Sequence, residues 1–198
     1  MILWSVSHFT YRNNKNLLYQ KHGFVIVIKT FLCYNKIIKT KGKEMRGFER
    51  VKDEFIQYGE KDIKLPVRAT KNACGYDFYS PIDITIKPMQ SELIWTNVKA
   101  YFNENEVLFL FVTSKMGKRH VMIANGTGVI ECDYYGNASN DGNLGFRLLN
   151  LGDTDYEIHK GDKIGQGVFT YFLKADNEEE VTTVRTGGFG STSTGFSN

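Results

Sequence analysis

From Leu65 onward, glycine, asparagine and aspartate turn signals recur about every ten residues, and the runs between them are short and rich in β-branched and aromatic residues. That rhythm leaves no room for long helices. "DITIKP" (83–88) alternates apolar and polar residues, as a half-buried strand does. "SELIWTNVKAYF" (91–102), "EVLFLFVTS" (106–114), "NLGFRLLNLG" (143–152), "YEIHKGDKIGQGVFTYFL" (156–173) and "EVTTVRT" (180–186) continue the series. "HVMIANGTGVIE" (120–131) places Asn125-Gly126 between two strand runs, the signature of a hairpin. Residues 49–57 are long enough for one helical turn. The spacing predicts an all-β sandwich or barrel, without internal repeats. A content of 14% aromatic residues, with 14 Phe and 11 Tyr, suits such a core.

Charge divides the chain. Residues 1–44 hold eight Lys/Arg and one acid, Glu44, whereas the remainder holds 17 of the 25 basic and 21 of the 22 acidic residues. The net charge of +3 therefore comes from the leader and does not point to nucleic-acid binding by the folded part. Met45 opens a normal domain start, so residues 1–44 are expected to be a basic extension outside the fold and dispensable to it. The domain is expected over 45–178, followed by a C-terminal strand and Gly-rich arm over 179–198. The apolar run "FVIVIKTFLCY" (24–34) is interrupted by Lys29 and falls short of the ~20 residues of a membrane helix. Cys33, Cys74 and Cys132 are odd in number and form no CxxC pattern, which fits a reduced, cytoplasmic protein without structural zinc.

Three stretches combine glycine with carboxylates or amides: "ACGYDF" (73–78), "NGTGVIECDYYG" (125–136) and "GDKIGQG" (161–167). The C-terminus, "RTGGFGSTSTGFSN" (185–198), is too polar to order itself as a core element. It reads either as a linker-like tail or as an arm. In an arm, backbone N–H groups, hydroxyls and Arg185 would grip an anion and Phe189 would cover a flat ligand.

Taken in this order, the four stretches resemble four of the five ordered motifs of the trimeric dUTP pyrophosphatase (dUTPase) family, the remaining motif being altered, and the resemblance covers Leu65 to Thr192. The overall look is closest to the enzymes of Gram-positive bacteria and their phages. The resemblance implies a jelly-roll-like (β-clip) fold, a homotrimer and hydrolysis of dUTP to dUMP and pyrophosphate with Mg²⁺. It assigns Asp77 to a magnesium-bound water, and Ser114, Gly117 and Gln166 to the phosphates. Asn125 and Gly128 fall in the uracil pocket, and Tyr134 falls against the deoxyribose. Glu131 is implied as the general base, standing where the family usually has Asp. Arg185, Phe189, Ser191 and Thr192 fall in a mobile arm that closes over the nucleotide. Motif two, "VTSKMGKRH" (112–120), departs most, because Thr113 stands where Arg is expected. Lys115, Lys118 and Arg119 offer replacement charge, although a lysine is a point charge and not a planar fork. Two alternatives stay open: a dCTP deaminase-like enzyme of the same fold, and a weakly catalytic nucleotide-binding regulatory module, the latter motivated by Thr113 and Glu131. Neither membrane nor direct nucleic-acid binding is expected.

Overall fold

A computed structural model describes residues 46–183, 185 and 187. Twelve strands dominate them: β1 (Gly47–Arg50), β2 (Val67–Arg68), β3 (Tyr76–Tyr79), β4 (Ile84–Ile86), β5 (Ser91–Trp95), β6 (Val98–Tyr101), β7 (Glu106–Phe111), β8 (Val121–Ile123), β9 (Gly128–Ile130), β10 (Gly145–Asn150), β11 (Tyr156–Ile158) and β12 (Lys163–Tyr171). One short helix, α1 (Ser114–Lys118), and 3₁₀ turns at Asp53–Phe55 and Cys132–Tyr134 complete them. The expected basic leader lies outside the described residues.

The strands form a five-stranded sheet β2-β3-β12-β7-β9, a three-stranded sheet β5-β10-β8 and the pairs β1-β6 and β11-β4. All pairings are antiparallel. The two larger sheets meet in a jelly-roll-like sandwich. Phe78 of β3 packs against Phe146 of β10 with ring centroids 5.4 Å apart, among buried Leu108, Leu110, Ile94, Leu148 and Ile164. Gly165 of β12 lies under that pair. A Cβ there would overlap the Phe146 ring and stand 2.8 Å from the Phe111 carbonyl. Gly165→Ala is therefore expected to cost about 1–3 kcal/mol by overpacking, read as a lower urea midpoint with unchanged m.

Three sequence expectations change. First, "SELIWTNVKAYF" is two strands and not one. Asn97, buried and at φ 60°, turns the chain between β5 and β6, so β5 joins β10 while β6 joins β1. The Asn97 side chain accepts from the Gln57 amide at 2.8 Å and donates to the Gln57 carbonyl at 3.1 Å, which stabilises the left-handed turn. Second, β8 and β9 flank Asn125-Gly126 but do not pair with each other. β8 bonds to β10 and β9 to β7, and Gly126, at φ 80°, carries the chain from one sheet to the other. Each strand finds its hydrogen bonds in a separate layer, and the turn spans the gap. Third, residues 180–183 contain no strand.

Candidate active site

The crossing at Asn125-Gly126 leaves a cleft of about 520 Å³ between the layers. Ile123, Asn125 and Gly128 line it from the crossing, Gly145 and Arg147 from β10, and Tyr134 and Glu131 from the segment after β9. Motif three thus builds a concave pocket of ligand size. Arg147 was not legible as a site residue. Its strand shows only alternation, and it reaches the pocket because β10 pairs with β8.

Glu131, the expected base, stands at the pocket rim with its side chain half exposed. Arg185 reaches back across 52 residues or more to the same place. Its Nη2 donates to Glu131 Oε2 at 2.9 Å and its Nε to Asp133 Oδ1 at 3.0 Å. The guanidinium also lies 5.9 Å from the centre of the Tyr134 ring. Arg185, expected at a phosphate, is therefore held by two carboxylates of its own chain. It must exchange them for phosphate oxygens to bind an anion. Cys132, between those acids, has its pKa raised by burial and then by the Asp133 charge, which favours the neutral thiol. Phe189, Ser191 and Thr192 lie outside the described residues.

Tyr134 is buried, and its pKa is raised by that burial, against the opposing hydrogen bond from Asn140 and the Arg185 charge. Its hydroxyl donates to the Asn143 carbonyl at 3.0 Å and accepts from Asn140 Nδ2 at 2.7 Å.

Motifs one and four form a second cluster. Asp77 and Gln166 are direct partners across β3 and β12, and Gln166 in turn pairs with Phe111 of β7. A Cβ on Gly75 would stand 2.5 Å from Gln166 Oε1, so that glycine makes room for the amide. Lys163 Nζ lies 2.5 Å from Asp77 Oδ2, and that contact raises the lysine pKa. Lys163 was another residue that sequence reasoning missed; it meets Asp77 only through strand pairing. No group of three or more His, Cys, Asp or Glu side chains among the described residues could hold a metal. A single buried carboxylate fits a cation carried by a ligand's phosphates and touched through water.

Motif two begins a short helix at Ser114, where the strand run "EVLFLFVTS" was expected to continue. Thr113 caps α1, its side chain accepting from the Met116 amide at 3.4 Å, and Met116 is buried in the core. Threonine is a favoured N-cap, so Thr113 has a structural role at the position where arginine was expected. Ser114, Lys115, Lys118 and Arg119 are exposed. The Gly117 amide donates to the Thr113 carbonyl at 3.1 Å, so the expected amide donor to phosphate is used inside the helix.

The two clusters do not meet within one chain. Ile130 pairs with Leu108, so Glu131 leaves β9 opposite Val107, whereas Gln166 lies opposite Phe111. Four residues along β7 and two strand spacings separate them, about 17 Å at ~3.4 Å per residue and ~4.8 Å per strand.

A sequence model of the dUTPase family matches residues 61–195. The chain belongs to the dUTPase family. The Lactococcus lactis deoxyuridine 5'-triphosphate nucleotidohydrolase is 38% identical over 151 residues, covering 75% of this chain and 98% of that one. The rat protein of the same name is 36% identical over 154 residues, covering 76% of this chain and 71% of that one. Among solved structures, the Streptococcus mutans dUTPase is 34% identical, with a TM-score of 0.57 over 66% of this chain and 99% of that one. A dUTPase from phage phi11 of S. aureus shares the fold at 20% identity, with a TM-score of 0.55. The dUTPase match spans the three glycine-marked stretches, motif two and the C-terminal stretch as far as residue 195. No helix among the described residues is long and apolar enough to cross a membrane.

Proposed function

We propose that this protein hydrolyses dUTP to dUMP and pyrophosphate in the cytoplasm. The observation that carries this reading is the pocket between Asn125 and Tyr134 with a carboxylate, Glu131, at its rim. Asn125 and the crossing backbone read the edge of uracil. A wrong base there leaves buried polar groups unpaired, which is a strong penalty. Tyr134 forms a wall against the deoxyribose. Ser114 and Gln166 hold phosphate oxygens, and Arg185, Phe189, Ser191 and Thr192 close the site. A water attacks the α-phosphorus in line and gives its proton to Glu131. The new P–O bond forms as the bond to the β-phosphate bridging oxygen breaks, and pyrophosphate leaves. Asp77 would hold, through water, a magnesium ion that would neutralise charge on the phosphates.

The separation of Asp77 and Gln166 from Glu131 supports a site shared between subunits. The outer face of the five-stranded sheet supports the same reading. Phe109 pairs with Val129 and Val168, Phe111 pairs with Gln166, and Val129 and Phe111 are exposed. An apolar face of this kind is what a subunit interface covers. We infer a homotrimer in which motifs one, two and four come from one chain, motif three from a second and the arm from a third.

The decisive measurement is pyrophosphate release from dUTP, dCTP, dTTP and UTP. Release from dUTP alone is expected. A direct assay of dCTP conversion that finds deamination would favour the deaminase alternative, and tight dUTP binding without pyrophosphate release would favour the regulatory module.

A further inference from the structure

We propose that Asn140 sets the sugar specificity of the pocket by holding the Tyr134 ring still, as a positioning residue that touches no substrate. The proposal rests on the reading of this cleft as a deoxynucleoside pocket. A wall excludes an added hydroxyl only if it cannot yield; a soft apolar pocket rejects one only about 10²-fold. Tyr134 is anchored at the end of its ring away from the backbone, where a small tilt would otherwise cost least. Asn140 donates to its hydroxyl at 2.7 Å, and the hydroxyl donates to the Asn143 carbonyl at 3.0 Å.

The orientation of the Asn140 amide follows from its other partners. Its Oδ1 accepts from the Gly142 amide at 3.1 Å and from Asn137 Nδ2 at 2.7 Å, so Nδ2 is the group left to face the tyrosine. Asn137 fastens the same loop from the other side. Its Nδ2 donates to the Tyr134 carbonyl at 2.9 Å, and its Oδ1 accepts from the amides of Ser139 and Asn140. Asn143 is buried against Asn97, accepting from its amide at 2.9 Å. Asp141, between the two clamping asparagines, is buried and bonded to Lys99 Nζ at 2.8 Å. The loop is therefore tied to the core at several points, and the tyrosine hydroxyl is tied to the loop.

The test is steady-state kinetics on dUTP and UTP for the full chain, Asn140→Ala, Tyr134→Phe and the double variant. Asn140→Ala is expected to keep kcat/KM for dUTP within about threefold and to lower the dUTP-over-UTP ratio at least about tenfold, toward the discrimination of a yielding pocket. Tyr134→Phe keeps the ring and removes its anchor, so it should lower the ratio similarly. The double variant should match Tyr134→Phe and not the product of the single variants, because Tyr134→Phe already removes the Asn140 bond together with the bond to the Asn143 carbonyl. General loosening of the loop would lower kcat/KM for both nucleotides and leave the ratio in place, which would overturn the proposal. Wild-type protein that turns over neither nucleotide would instead defeat the functional reading beneath it. If Asn140→Ala does not fold, Tyr134→Phe decides alone, and an unchanged ratio in that variant overturns the proposal.

Discussion

Glu131→Gln is expected to lower kcat for dUTP by at least about 10²-fold, the range for loss of a general base. Glutamine keeps the length of the side chain and one oxygen that can still accept from Arg185, but it cannot take a proton from water. The loss should therefore fall on kcat, with dUTP binding measured by calorimetry retained within a few-fold. The position makes this a sharp test. Glu131 is half exposed at the pocket rim and supports no core packing, so the substitution should leave the thermal midpoint in place. Near-wild-type turnover would remove Glu131 from the mechanism. Asp133, which shares Arg185 with it, would then be the next carboxylate to substitute.

Lys99→Met is expected to destabilise the fold by up to about 3–5 kcal/mol, the usual cost of removing one partner of a buried ion pair, because among the described residues only the Lys52 amide and the more distant Lys52 charge then face Asp141. Lys99 and Asp141 are 8% and 1% exposed and 2.8 Å apart. Burial alone would raise the Asp141 pKa, but the Lys99 hydrogen bond, the Lys52 amide and the two lysine charges outweigh it, and the carboxyl sits below its usual range. A carboxyl depressed in this way stabilises the fold above its unfolded pKa, and that contribution is lost as the pH falls through its folded pKa. In Lys99→Met the main depressing group is gone and burial remains, so ionised Asp141 is penalised most at neutral pH. The stability gap between wild type and variant should thus narrow as the pH falls from 7 toward 3, measured by urea unfolding at one protein concentration. Adding Asp141→Asn to Lys99→Met should recover part of the loss, because no unpaired charge is left and asparagine tolerates the φ of 57° at this position. A gap that stays constant with pH would mean that packing, and not charge, makes the pair important.

The strands were legible because alternation and turn chemistry are local. "DITIKP", "EVLFLFVTS" and "NLGFRLLNLG" each contain a strand, shorter than the run that predicted it: Ile84–Ile86, Glu106–Phe111 and Gly145–Asn150. The family's motifs were legible for a related reason, since residues such as Gly75, Asp77, Asn125 and Gln166 carry their chemistry within a few neighbours. What the strands pair with is a competition among distant partners. β8 and β9 read as a hairpin, yet each bonds more of its backbone in a different sheet, and that divergence opens the pocket. Asn97 shows the same limit, because its left-handed turn is held by Gln57, 40 residues away. Local chemistry named Tyr134, Glu131 and Arg185 one by one. Only the tertiary structure decided that Arg185 sits on Glu131, that Lys163 sits on Asp77 and that Asn140 holds Tyr134, because each of these contacts depends on how the chain is folded back on itself.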